Sequence, residues 1–384
     1  MHSPIDLPTK LPKVGSTIFS VMSRMAAEHD AINLSQGFPD FEVDPALIDL
    51  VTKYMKEGHN QYAPMTGVEE LRKAIAAKIK NVYGRAYDPD EEITVTAGAT
   101  QAIFTAITAL VREEDEVIVF TPAYDCYVPP ILLSNAKPVY VQLKAPDFKV
   151  NWEEVRKVVT RKTKLIIVNT PHNPTGTIWD DADMKELEKL AENSDAIVLS
   201  DEVYEHIVFD GKTHRGAARY PGLAKRSLIV ASFGKTFHAT GWKVGYVYGP
   251  ENLMSEFRKV HQYLVFSVNT PVQYAFAEYI SDPNTYTNLS EWYRRKRDLF
   301  LDAVKDSKFS VLPSQGTYFQ LLGYDKISKK DEAVFAEELT KKHGVASIPV
   351  SGFYHRPLEQ SLLRFCFAKN DDTLLRAAEI LNKL

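Results

Sequence analysis

Cysteine is nearly absent from this chain. Its 384 residues hold two, Cys126 and Cys366, which excludes a disulfide framework and a thiolate metal centre. The ten histidines contain no His-x-x-x-His or His-Glu-x-x-His pair, so no metal site is expected. No apolar run approaches the ~20 residues that a membrane-crossing helix needs. The first residues, Met1-His2-Ser3-Pro4-Ile5-Asp6-Leu7-Pro8, lack the apolar core of a secretion signal. A cytoplasmic protein without a membrane partner is therefore expected. An excess of positive charge is missing too: 46 Lys+Arg against 50 Asp+Glu leave a net charge of −4, which gives nucleic acid no basic face to bind. What remains is ordinary globular material, with 45% hydrophobic and 11% aromatic residues, enough for a real core and too much for disorder. The length suggests two or three domains at roughly 150 residues each.

The middle of the chain alternates short apolar runs with amphipathic stretches. The runs are Ile93–Ala97, Glu116–Phe120, Pro138–Leu143, Lys164–Asn169, Ala196–Ser200 and Ser227–Ser232. Each has strand length, is rich in Val and Ile, and is apolar on both faces. Helical patterns lie between them, as at Ala102–Val111 and Asp181–Glu192, where Met184, Leu187 and Ala191 share a face behind a cap at Asp180 or Asp181. This alternation predicts an α/β fold with a largely parallel sheet covered on both sides. Residues up to about Asp44 contain four prolines and little periodicity, and read as an arm with short helical pieces. Beyond the turn cluster Ser281-Asp282-Pro283-Asn284 comes a charged helical pattern from Tyr286 to about Asp306. Strand-like segments at Thr317–Leu322 and Leu363–Phe367 and helices at Asp331–Lys342 and Asp372–Leu384 follow, an α+β layout that predicts a smaller second domain.

Ligands of parallel sheets bind beyond the carboxyl ends of the strands. Those ends carry Gly98-Ala99-Thr100 opening a helix, Asn173-Pro174-Thr175-Gly176, Asp201-Glu202-Val203-Tyr204, and Ser232-Phe233-Gly234-Lys235 with Lys243 eight residues on. Taken singly, each has a plain structural reading: a tight turn, turn chemistry, a helix cap, a core tyrosine, a solvated lysine. Their convergence on one edge suits pyridoxal 5'-phosphate, which needs an amine for covalent attachment, an acidic partner for its ring nitrogen and a phosphate cup. Lys235 supplies the amine and Asp201 the carboxylate. Asn173 and Tyr204 can hydrogen-bond the ring oxygen. The helix amino end after Gly98 suits the phosphate, with Ser232 and Lys243 adding a hydroxyl and a cation. Arg364, flanked by apolar residues on both strand faces in Leu362-Leu363-Arg364-Phe365-Cys366-Phe367-Ala368, calls for an anion, and a bidentate carboxylate is its best geometric match.

The segment Ser232-Phe233-Gly234-Lys235-Thr236-Phe237-His238-Ala239-Thr240-Gly241-Trp242-Lys243 resembles the cofactor-lysine segment of class I/II aminotransferases of fold type I. Asn173-Pro174-Thr175-Gly176 and Asp201-Glu202-Val203-Tyr204 match that family in order and spacing. The likeness runs from Asn33-Leu34-Ser35-Gln36-Gly37-Phe38-Pro39-Asp40 to Leu363–Lys369. Within the family, Asn60–Gly67 and Phe266–Pro271 are most similar to the methionine and kynurenine/glutamine-type transaminases. The resemblance implies a mostly parallel seven-stranded sheet flanked by helices in a large domain, residues 46–280. It also implies a small domain at 281–384 with which the arm 1–45 packs. It further implies that Tyr124 stacks on the cofactor ring, and that Gly37, Asn173 and Arg364 meet the substrate carboxylate. Tyr62 would reach the phosphate of a neighbouring subunit, hence a homodimer with shared sites. Amino acids and 2-oxo acids would be the substrates. For the substrate side chain, Ile18, Phe19, Phe38, Tyr62 and Phe266 predict an apolar entrance, and no second arginine can be placed.

Other readings divide on specific residues. Gly234-Lys235-Thr236 ends like a P-loop, but Ile229 stands where its first glycine belongs. No Gly-x-Gly-x-x-Gly follows the first strand, against a dinucleotide fold. A β-lyase acting on cysteine S-conjugates would use the same residues, and that alternative stays open. A non-catalytic sensor domain would need a DNA-binding domain ahead of it, and about thirty residues precede the first matching motif, too few for one.

Overall fold

A computed structural model describes residues 8–12 and 14–384; residues 1–7 and Lys13 of the expected arm lie outside the described residues. The main sheet has seven strands. In spatial order they are Ile93–Thr96, Gly245–Tyr248, Ser227–Ser232, Ile197–Asp201, Thr163–Asn169, Glu116–Thr121 and Lys137–Gln142. Gly245–Tyr248 runs antiparallel to both neighbours, and the other strands share one direction.

The continuous apolar runs have a direct cause in this sheet. Ile118, Phe120, Ile166, Val168, Val198 and Ile229 enter the core on one face, while Val117, Val119, Leu165, Ile167, Leu199 and Leu228 enter the core on the other. A strand covered on both sides has no solvent face, so its sequence does not alternate. Each such buried aliphatic side chain contributes about 1.5–3 kcal/mol, and together they set the sheet's register. Helices between the strands cover it, including Ala99–Leu110 and Asp181–Ser194. The latter begins with Asp180 in a capping box with Asp183.

The strand readings hold to within one or two residues. Within the main sheet, Gly245–Tyr248 is the strand the apolar-run reading passed over; the two-residue strands Ile32–Asn33, Ser310–Val311, Val345–Ala346 and Ile348–Pro349 are too short to show as runs. Gly245–Tyr248 is four residues long, and it follows the Lys235–Lys243 segment with no helix between that would mark it as a separate unit. The helical pattern expected from Tyr286 to Asp306 is two helices, Asn284–Thr287 and Leu289–Val304, parted at Asn288.

A third core gathers Tyr204, Phe209, Tyr318, Phe319, Leu363 and Phe365. It surrounds an antiparallel sheet ordered Ile348–Pro349, Leu362–Cys366, Phe319–Gly323, Ser310–Val311. The amino-terminal arm is tied to this region. Its helix Ile18–Glu28 is capped by Thr17, and Ile32–Asn33 pairs in parallel with Val345–Ala346. Leu34 then accepts from the Cys366 N–H at 2.8 Å. That tether carries Gln36 and Gly37 over the carboxyl edge of the main sheet. Among the described residues, no helix is long and apolar enough to cross a membrane.

Candidate active site

The carboxyl edge opens into a cavity of about 520 Å³, within the range of small-molecule sites. Gly37, Gly98, Ala99, Thr100, Tyr124, Asn173, Asp201, Tyr204, Ser232, Lys235, Lys243 and Arg364 all line it. Of the expected entrance residues, Phe19 lines it; Ile18, Phe38 and Phe266 do not. Tyr62 does not either. It is 81% exposed and stands edge-on to the exposed Phe266 beside a separate open groove.

One end of the cavity is built for an anion. Gly98 takes φ +77°, in the left-handed region, and leads into the helix Ala99–Leu110 without a side-chain cap. The first N–H groups of a helix have no partner within it, and the residues that open this one, Gly98, Ala99 and Thr100, line the cavity. A Cβ on Gly98 would stand 3.3 Å from Lys243 Nζ. A Cβ on Gly245 would come within 2.7 Å of the Ala231 carbonyl and 3.2 Å of the Ala99 N–H. Both glycines therefore keep the helix end open and close to the sheet. Lys243 is itself in the left-handed region at φ +55°, a local strain of the kind that concentrates at functional sites.

In the middle stand Asp201 and Lys235. Asp201 ends its strand fully walled in; Tyr127 donates to its Oδ2 at 2.6 Å and the Val203 N–H to its Oδ1 at 3.3 Å. Burial pushes its carboxyl up to about 6, with Tyr127 and Val203 pulling the other way. Lys235 rises from the short helix Phe233–Thr236; its Nζ donates to Tyr318 Oη at 2.9 Å and to the Gly37 carbonyl at 3.1 Å. The Tyr318 hydroxyl in turn donates to the Gly37 carbonyl at 2.5 Å. Burial draws the Lys235 amine down to about 8. Tyr204 is buried edge-on to Tyr318, and burial raises its phenol far from ionisation.

At the other end lies Arg364, at 0% exposure. Its Nη1 donates to Asn173 Oδ1 at 2.7 Å and its Nη2 to the Ser35 carbonyl at 2.9 Å. The guanidinium lies 3.9 Å from the Phe319 ring centre, with Phe19 and Phe353 at 5.2 and 5.1 Å. Its Nε is buried without a partner. Burial lowers it to about 10, so it stays charged at neutral pH. An isolated buried guanidinium is expensive, and a carboxylate on its free edge would satisfy it.

The cavity lining thus holds three cations, Lys235, Lys243 and Arg364, against two carboxylates, Asp125 and Asp201. That balance, the open helix end and the orphaned Arg364 Nε fit a ligand pair bearing a phosphate and a carboxylate. Among the described residues, no group of three or more His, Cys, Asp and Glu could hold a metal ion. Sequence reasoning missed Tyr127, Tyr318, Phe319 and Asp125. For Tyr127 and Asp125 the signal was adjacency to Tyr124 after a strand end. Tyr318 and Phe319 meet Lys235 and Arg364 only through tertiary packing.

Comparison with known proteins agrees with this geometry. The family model for aminotransferase class I and II matches residues 29–381. The chain is 48% identical to the methionine aminotransferase of Escherichia coli, covering all of both chains. It is 35% identical to a kynurenine–oxoglutarate transaminase of Dictyostelium discoideum, over 96% of this chain and 94% of that protein. A crystal structure from Escherichia coli, described as identifying a methionine aminotransferase function, superposes with a TM-score of 0.97 at 48% identity, covering 99% of this chain and 100% of that one.

Proposed function

Because the chain belongs to the aminotransferase class I and II family, its reaction is amino-group transfer between amino acids and 2-oxo acids, and we propose that it runs on pyridoxal 5'-phosphate with methionine and other neutral or aromatic donors. The single observation that carries this reading is the meeting, in one cavity, of the Lys235 amine, the Asp201 carboxylate, an open helix end and a buried arginine lacking an anion.

The residues fit that cofactor. Gly98, Ala99, Thr100, Ser232 and Lys243 would hold its phosphate, Tyr124 would cover its ring, Asp201 would meet the ring nitrogen, and Asn173 and Tyr204 would meet the ring oxygen. Bound there, it would supply an electron sink for the pair left when the substrate Cα–H bond breaks. Asp201 serves that sink by keeping a negative charge where the ring nitrogen carries its proton. Lys235 Nζ, besides attaching the cofactor, would take the proton from the donor Cα and deliver it to the cofactor carbon that receives the nitrogen, and would carry it the opposite way when the 2-oxo acid is aminated. With its amine drawn down to about 8, roughly a tenth of it is neutral at pH 7, against roughly a few parts in ten thousand for an ordinary lysine. Tyr318 Oη and the Gly37 carbonyl hold Nζ whenever it is not covalently engaged. Arg364 binds the substrate α-carboxylate, its fork oriented by Asn173 and the Ser35 carbonyl. Both half-reactions use these same groups, giving ping-pong turnover.

Substrate choice follows from what surrounds the remaining space. Phe19, Ile103 and Phe319 line it, Asp125 adds a carboxylate, and among the described residues Arg364 is the one arginine in the lining. A dicarboxylate donor would set a second charge against apolar walls and a like charge, at a cost of several kcal/mol. Methionine and phenylalanine carry no such charge.

The exposed Tyr62, Tyr263 and Phe266 support a homodimer in which Tyr62 reaches the partner's phosphate site. The antiparallel sheet formed by segments between 310 and 366 and the pairing of Ile32–Asn33 with Val345–Ala346 support the division into arm 1–45, large domain 46–280 and small domain 281–384. The cytoplasm is the proposed compartment. A panel of amino donors tests the substrate reading. Methionine and aromatic donors are expected to exceed aspartate by at least about tenfold in kcat/KM, the scale of one misplaced charge. An aspartate-led ranking would overturn it while leaving the transaminase chemistry standing.

A further inference from the structure

Tyr127 belongs to no motif singled out in the sequence, yet it makes the shortest contact to the central carboxylate. It is 3% exposed, follows Tyr124 by three residues, and meets the Tyr124 ring edge-on at 6.1 Å. Its hydroxyl has one hydrogen, and that hydrogen goes to Asp201 Oδ2 at 2.6 Å. The other oxygen, Oδ1, has only the long bond from the Val203 N–H, at 3.3 Å. We propose that Tyr127 is the positioning residue of the site, fixing the orientation and charge of Asp201 so that one carboxylate, in one rotamer, meets the cofactor's ring nitrogen.

The surroundings leave that task to Tyr127. Lys235 approaches Asp201 from the helix Phe233–Thr236, Glu202 and Tyr204 from its own turn, and Tyr124 and Cys126 from the segment that also carries Tyr127. Among the described residues, none of those five side chains hydrogen-bonds the carboxylate. Glu202 repels its charge, the Cys126 thiol is kept neutral by burial, and Lys235 becomes less available when covalently engaged. Burial works against ionisation, and the Tyr127 hydrogen bond is the largest effect opposing it. Burial also keeps the Tyr127 phenol far above its ordinary range, so it remains a donor throughout the working pH range. A hydrogen bond from a neutral donor to a dry carboxylate is worth about one to two pH units of titration.

This inference rests on the cofactor reading above. Its test is Tyr127→Phe, which removes one oxygen and keeps the ring. The holoenzyme is titrated by the pH dependence of the bound cofactor's visible absorbance, alongside kcat and KM for methionine and the thermal melt. Without Tyr127, Asp201 takes up its proton at higher pH. The acid limb of kcat is therefore expected to move up by about one pH unit, with the absorbance midpoint shifting by a similar amount. At pH 7 that shift by itself lowers kcat about twofold, loss of the fixed Asp201 rotamer lowers it further, and KM is expected to change less than about twofold. The same substitution made on Asp201→Asn is expected to move neither pH quantity further, because the two side chains act as one unit. A fall in kcat with both pH quantities unmoved would overturn the proposal, as would a full additional shift in the Asp201→Asn background. Failure of the unaltered protein to take up pyridoxal phosphate would overturn the underlying cofactor reading instead.

Discussion

The turn Asp201-Glu202-Val203-Tyr204-Glu205 faces two ways, and its two sides treat charge differently. Toward the cavity, Asp201 and Tyr204 stand with Lys235 and Arg364, and among the described residues no Asp or Glu forms an ion pair with either cation. Away from the cavity, every charge is already matched. Glu205 accepts from Lys78 Nζ at 2.7 Å and from the Tyr83 hydroxyl, while Lys78 also donates to Tyr246 Oη at 2.8 Å. Glu202 accepts from the Ser200 hydroxyl and the Ala217 N–H, both at 2.8 Å, and pairs with His214 at 2.7 Å. Both sides bury charge in the same five residues of chain. The satisfied side clamps the turn. The unsatisfied side is where a ligand completes the electrostatics.

The comparison breaks most sharply at Lys235. Lys235→Ala is expected to cut turnover by at least about a thousandfold, since it removes the proton carrier itself, while circular dichroism and melting stay close to the parent's. A large loss of stability would instead place Lys235 on the clamping side.

Next in size is Lys78→Met, the mirror case. It leaves Glu205 buried without its cation and is expected to cost about 3–5 kcal/mol of stability by denaturant unfolding. The pH dependence has a definite sign. Burial raises the Glu205 carboxyl, but the Lys78 ammonium and the Tyr83 hydroxyl outweigh it and hold it low, at about 2. A depressed carboxyl stabilises the fold above its unfolded value and loses that contribution as pH falls toward 2. The gap between the parent and Lys78→Met is therefore expected to be widest near neutrality and to close in acid. A gap independent of pH would show that the pair packs without contributing charge.

Arg364→Ala gives a smaller effect, of the opposite kind. KM is expected to rise about tenfold to a hundredfold for every amino donor, because a contact common to all of them is lost. Stability is expected to hold, since the guanidinium lacks an anionic partner in the protein. A KM increase confined to one class of donor would show that Arg364 reads the side chain.

The two sides also differ in how legible they were. Strands with both faces buried announce themselves as Val/Ile runs, and their ends pointed to Gly98, Asn173, Asp201 and Lys235. Arg364 was legible because an arginine flanked by apolar residues on both faces of a strand needs an anion. The clamp was not legible: Lys78 and Glu205 lie 127 positions apart, and each alone is an ordinary helix or turn charge. Tyr318 is 83 positions from Lys235, and Phe319 could be any core aromatic until Arg364 is seen 3.9 Å from its ring. Tyr127 was close in sequence to Tyr124, but nothing in its local pattern marks a hydrogen bond to a residue 74 positions away. Side-chain pairs made across the fold leave no periodic trace.

The central claim is that the unpaired amine of Lys235 is the attachment point and proton carrier of the site. Borohydride reduction of the pyridoxal-phosphate-loaded protein, followed by peptide mapping, tests it most directly. The expected result is one stoichiometric label, on Lys235, absent from Lys235→Ala. A label on Lys243 or any other lysine in the unaltered protein would contradict the account.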